Sequence, residues 1–164
     1  MLSIRHLSYS RVLLLQSRTA CELVMVAVKY DDLSLAFDFV NSAPPGSNGA
    51  YLSLDTGQIF WISEMNPMEE ELPDDLETSG RYVALPHKND LDLGKDLALR
   101  FVEQELPDCY VRAEGFFRHK GAYGRLKQML ESEGILEKWF KFEEESLDKA
   151  LREWCADNDI ELVS

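Results

Sequence analysis

The residues best suited to binding lie in one window of the chain. Between positions 111 and 141 stand Arg112, Arg118, Lys120, Arg125, Lys127, Lys138 and Lys141 beside four glutamates, a local balance of +3. Bases grouped in this way attract phosphates and carboxylates, which a guanidinium grips through paired N–H donors. At the centre is Arg118-His119-Lys120-Gly121-Ala122-Tyr123-Gly124-Arg125-Leu126-Lys127. Gly121 and Gly124 make a Gly-x-x-Gly between two expected helices, the pattern by which a KH module brings backbone amides against a nucleic-acid backbone. A helix starting after Gly121 also aims free N–H groups at an anion. Phe116, Phe117 and Tyr123 could stack bases, although aromatics at a helix corner more often belong to the core. The candidate binding residues are therefore Arg118, His119, Lys120, Gly121, Tyr123, Arg125 and Lys127. The plainer alternative is a glycine-broken helical corner carrying ordinary surface bases.

Other chemistry has less to stand on. The chain has no Gly-x-Ser-x-Gly, no phosphate-cradling Gly-x-x-x-x-Gly-Lys, no His-Glu-x-x-His and no Rossmann fingerprint. His6, His87 and His119 are solitary, so an enzyme reading needs a hydrolase-like site assembled in space from carboxylates and His87. Residues 64–79 hold seven acids and no base. Their spacing does not match a calcium loop, so the stretch reads as solvated surface with no metal site. Cys21, Cys109 and Cys155 are far apart and odd in number. They read as reduced structural thiols of a cytosolic protein rather than a zinc knuckle or a redox pair. No cofactor is expected.

The elements that must position these residues follow from periodicity. Asp31 or Asp32 is placed to cap a helix whose Leu33, Ala36, Phe37 and Val40 keep the i, i+3, i+4, i+7 spacing. A loop over 43–49 follows. Tyr51–Leu54 and Ile59–Ile62 then form a hairpin turning at Gly57, and Arg81–Pro86 supplies a third strand. Asn89 or Asp90 opens a helix that Pro107 ends. Two more helices occupy 108–133, bent near Lys120-Gly121, and Gly134 caps the second. A last helix spans 135–157 with Ile135, Trp139, Phe142, Leu147, Leu151 and Trp154 inward. Glu145–Lys149 and Asp148–Arg152 are its expected i, i+4 pairs. Ile160–Leu162 reads as a terminal strand. The predicted class is α+β: a small antiparallel sheet packed with a helical C-terminal half.

Size and charge bound the rest. At 164 residues and 18.8 kDa the chain suits one domain, and 45% hydrophobic content excludes collagen-like and wholly disordered readings. A net charge of −13 repels nucleic acid and anionic membranes from the surface as a whole, leaving only a local patch to bind them. No stretch has the ~18 apolar residues that span a bilayer. Residues 1–24 stand apart, with Arg5, Arg11 and Arg18 and no acid before Glu22. They read as an unstructured extension ahead of a true start at Met25, or second as an organelle transit peptide. The single domain is then 25–164.

Three segments together resemble the bacterial Uncharacterised Protein Family 0158 group: Arg81-Tyr82-Val83-Ala84-Leu85-Pro86, Lys120–Lys127, and Trp139-Phe140 with Leu147–Cys155. Coverage runs from about Tyr30 to Leu162, and residues 1–24 have no counterpart in it. The chain departs from the group at Gly124, where a basic residue is more usual. The resemblance implies a bacterial, cytoplasmic setting and assigns no catalytic residue. The leading expectation is thus a non-enzymatic binding or regulatory module whose basic corner at 118–127 holds nucleic acid or an acidic partner. A structural partner in a complex or homodimer is the remaining alternative. Intact-mass measurement of the native protein should give the Met25–Ser164 chain; a mature N-terminus at Met1 would overturn the start-site reading.

Overall fold

The computed structural model describes residues 25–65 and 71–164, so the readings for 1–24, Cys21 among them, lie outside the described residues. Strand β1 (Val26–Lys29) runs straight into helix α1 (Tyr30–Asn41). Leu33, Ala36, Phe37 and Val40 are buried, as their spacing predicts. The expected Asp31 or Asp32 cap does not form. Lys29 is still extended at φ −71 and ψ 137, so the helix begins as soon as the strand stops. Both aspartates therefore fall inside the first turn, where the helix dipole favours carboxylates.

Strands β2 (Asn48–Ser53) and β3 (Ile59–Ser63) form the hairpin, and β4 (Tyr82–Ala84) adds to the other edge of β2, all antiparallel. Gly57 turns the hairpin at φ 76. A Cβ there would come within 2.9 Å of the Ala27 carbonyl oxygen, so this turn is pressed against β1. The terminal strand β5 (Ile160–Val163) has a partner that periodicity did not disclose. It pairs parallel with β1, Val26 opposite Ile160 and Lys29 opposite Val163. The antiparallel sheet is thus joined by a two-stranded parallel one whose connection is nearly the whole domain.

Helix α2 (Lys95–Glu105) starts later than Asn89 or Asp90. The Asp90 carboxylate instead accepts a hydrogen bond from the His87 backbone N–H (3.0 Å), and the Leu93 N–H donates to the Lys88 carbonyl (2.9 Å). Residues 87–93 are thereby held in turns. Pro107 ends α2 and begins a short 3-10 turn to Cys109, followed by α3 (Tyr110–Phe116), α4 (Ala122–Ser132) and α5 (Leu136–Asp157). Of the two ion pairs expected on α5, Asp148–Arg152 forms at 2.9 Å. Glu145 takes Lys141 instead (3.7 Å) and Lys149 takes Glu153 (3.8 Å). Each lysine has a carboxylate four residues away on both sides, and exposed pairs worth about 0.3–0.5 kcal/mol exchange freely.

The result is one α+β domain with two apolar clusters. Val28, Leu33, Phe37, Leu52, Leu151 and Ile160 belong to the first, under α1 and the strands. Leu97, Phe101, Leu126, Leu130 and Trp139 belong to the second, among α2 to α5. Helix α5 serves both: Trp139 and Phe142 enter the helical cluster, Leu147, Leu151 and Cys155 the other. Among the described residues the Trp139 Nε1–H finds no acceptor. That costs about 1–3 kcal/mol, while burying an indole at about 25 cal/mol/Å² returns roughly 4–6.

Cys155 is 2% exposed, and burial pushes its thiol from an ordinary 9.0 up to about 11, against a smaller lowering by Arg152. The folded state therefore prefers the neutral thiol. The stability this gives is intact below pH 9.0 and is lost as pH rises towards about 11. Denaturation of the wild type and Cys155→Ala across this range should show the wild type's advantage shrinking as pH rises. A constant difference would contradict it.

Candidate functional site

The basic corner is built by the end of α3, the turn 117–121 and the start of α4. The Arg118 and His119 N–H groups donate to the Gly115 and Phe116 carbonyls (3.3 and 3.2 Å), which tightens the exit from α3. Gly121 then adopts a left-handed conformation, φ 78 and ψ 21, and α4 starts at the next residue with no side chain capping it. Only glycine takes that conformation without steric cost. Gly124 lies in the first turn of α4, where an added Cβ would meet open space. The two glycines therefore have unlike parts: one makes the corner, the other is a helical residue.

The seven candidates are not gathered into one patch. Arg118, His119, Lys120, Arg125 and Lys127 are exposed, and Tyr123 is half-buried. Arg118 approaches Glu114 four residues back (3.8 Å). Tyr123 packs edge-on against Phe117 at 5.3 Å, and Lys88 Nζ lies 5.5 Å from its ring centre. Burial, then the charges of Glu143 and Asp96, raises the Tyr123 hydroxyl pKa. Phe117 and Tyr123 are thus committed to packing, while Phe116 lies under Arg112, whose guanidinium carbon is 5.8 Å from the ring centre. Lys127 lies over Phe140 of α5 at 5.3 Å. Arg125 is two residues from Lys127, about 200° around the helix, and so faces the other way.

On that other flank is a groove of about 360 Å³ between α3 and α4, lined by Arg112, Phe116, Arg125, Gln128, Met129 and Ser132. Neither guanidinium forms an ion pair with a described residue, and no carboxylate lines the groove. Two arginines without a counter-charge, beside the Gln128 amide, can hold a phosphate or a carboxylate in bidentate fashion. Of the seven candidates only Arg125 lines this groove. Arg112, Gln128 and Ser132 were absent from the candidates. Their signal lies in the i, i+3, i+7 stripe 125/128/132 on α4, facing position 112 one turn before Phe116 on α3.

His87 is engaged in its turn. Its Nδ1 accepts the Asn89 N–H (3.2 Å), and Asp90 meets its backbone rather than its ring. In the acidic stretch, Asp75 accepts a 2.6 Å hydrogen bond from Arg81, which holds its carboxyl below the usual range; positions 66–70 lie outside the described residues. No described helix is long and apolar enough to cross a membrane.

The unlike glycines make a paired prediction. Gly121→Ala should destabilise the protein by about 1–2 kcal/mol, the cost of a left-handed non-glycine residue. Gly124→Ala should leave stability unchanged or raise it by about 0.4–1 kcal/mol. Urea denaturation of both variants checks this, and equal responses would contradict the assignment.

Comparison of the chain with family models, with curated proteins and with solved structures yields no match.

Proposed function

We propose that this protein is a non-enzymatic, cytoplasmic binding or regulatory module. It holds a phosphate-bearing or acidic partner in the groove between α3 and α4. The observation that carries this reading is the pair Arg112 and Arg125, two guanidiniums sharing one groove with no carboxylate beside them. In a chain of net charge −13 such an uncompensated pair is a local site where an anion is attracted rather than repelled. The acidic remainder repels other polyanions, so adhesion elsewhere is suppressed. The exposed Arg118 and Lys120, at the entrance to α4, add to the same positive field.

A second reading, a structural partner in a complex, draws on one observation. Leu35, Phe39 and Trp61 line an almost wholly apolar depression of about 490 Å³, and Leu35 is 63% exposed. Trp61 lies on β3, an edge strand of the antiparallel sheet.

Fluorescence anisotropy with a labelled single-stranded RNA and a labelled oligoglutamate peptide, each at several salt concentrations, tests the first reading. One probe should bind, more weakly as salt rises, and Arg112→Glu/Arg125→Glu should weaken it at least about tenfold. Lys127→Glu, on the opposite flank, should have much less effect. Binding of neither probe at low salt, or binding indifferent to the double reversal, would overturn the site.

A further inference from the structure

We propose that the groove between α1 and α5 is a docking site for a basic amphipathic helix of a partner protein. It is a different place from the arginine groove and goes beyond the function proposed above. The floor is apolar: Phe37 of α1, Leu93, Leu97 of α2 and Leu147 of α5 line a depression of about 410 Å³. Phe140 stands at its α5 edge, 39% exposed, with Lys127 of α4 over its ring. Three carboxylates rim the floor, Asp38 from α1 and Glu143 and Glu144 from α5. The rim's own cation is Lys88, whose ammonium lies over the Tyr123 ring.

None of these three carboxylates forms an ion pair with a described residue. On α5 the reason lies in the sequence. Glu145, Asp148 and Glu153 each have a base four residues away and use it. Glu143 has Trp139 and Leu147 at those positions, and Glu144 has Phe140 and Asp148, while Lys141, three residues before Glu144, is taken by Glu145. Their charge is therefore left for an outside partner. Phe140, Glu143, Glu144 and Leu147 follow the i, i+3, i+4, i+7 spacing, one stripe with apolar ends and an acidic middle. It spans about 10 Å, two turns of a helix laid alongside.

Charge decides the occupant. A membrane surface and a nucleic acid are anionic and are repelled by the rim. A second copy of the chain brings its own −13. A segment with Leu-type residues at i, i+3, i+4 and i+7 and Lys or Arg on its flanks satisfies both floor and rim, which is recognition of a helix in a groove.

The test uses the full chain and a fluorescein-labelled peptide of about 18 residues, roughly five turns, made of leucine and lysine in helical register. Anisotropy should show saturable binding that weakens with salt, and a peptide with glutamate in place of lysine should not bind. Glu143→Lys/Glu144→Lys should weaken binding at least about tenfold. Glu131→Lys/Glu133→Lys makes the same charge change away from this groove and should leave binding within about twofold. If the lysine pair unfolds the protein, Glu143→Gln/Glu144→Gln is read in its place. No binding, or equal loss in both reversals, would overturn the proposal. So would a dimer in light scattering that the reversal at 143 and 144 dissolves, which would assign the groove to a second copy.

Discussion

Helix α5 is the member on which both halves of the domain depend. Its 22 residues, about 33 Å long, bury Trp139 in one apolar cluster and Leu151 in the other. Trp139 packs edge-on against Phe101 of α2 at 5.3 Å, while Leu151 and Cys155 close the cluster beneath α1 and the strands. One continuous stripe thus turns two small cores into one cooperative unit. The chain then leaves α5 directly into β5, and the parallel pairing with β1 ties the end of the described chain to its beginning. A helix shared in this way has little freedom to shift, so the groove it forms with α1 has set walls.

Charge is distributed with equal consequence. The two grooves differ in the charges that line them. One holds Arg112 and Arg125 without a carboxylate, the other holds three carboxylates with Lys88 as its own cation. Helix α4 separates their influences because Arg125 and Lys127 lie on opposite flanks of it. Among the described residues most ion pairs are exposed i, i+4 contacts, each too weak to organise the fold. Apolar burial rather than electrostatics therefore holds the structure together.

Local physics was legible in the sequence wherever one residue's neighbours along the chain settle its state. The α1 and α5 faces, the Gly57 turn, the Pro107 stop and the Gly121 corner all follow from periodicity or from backbone freedom, and the structure has them. The start of α2 was misplaced because Asn89 and Asp90 are good caps in isolation. Here Asp90 is drawn to the His87 backbone instead. Strand β1 is only four residues long, and its partner lies more than 130 positions away. No local pattern reports such a pairing.

By itself, then, the sequence determined the class, most of the elements and the presence of a basic corner in an acidic chain, because each depends on short-range spacing. Tertiary structure alone decided which bases stand together. Arg112 and Arg125 line one groove because α3 and α4 pack side by side, and Lys127 is turned away because a helix advances 100° per residue. It alone also decided that Asp38, across from Glu143 and Glu144, rims the same apolar floor, since that requires α1 to pack beside α5. Sequence distance carries no information about such meetings; the burial of apolar faces creates them.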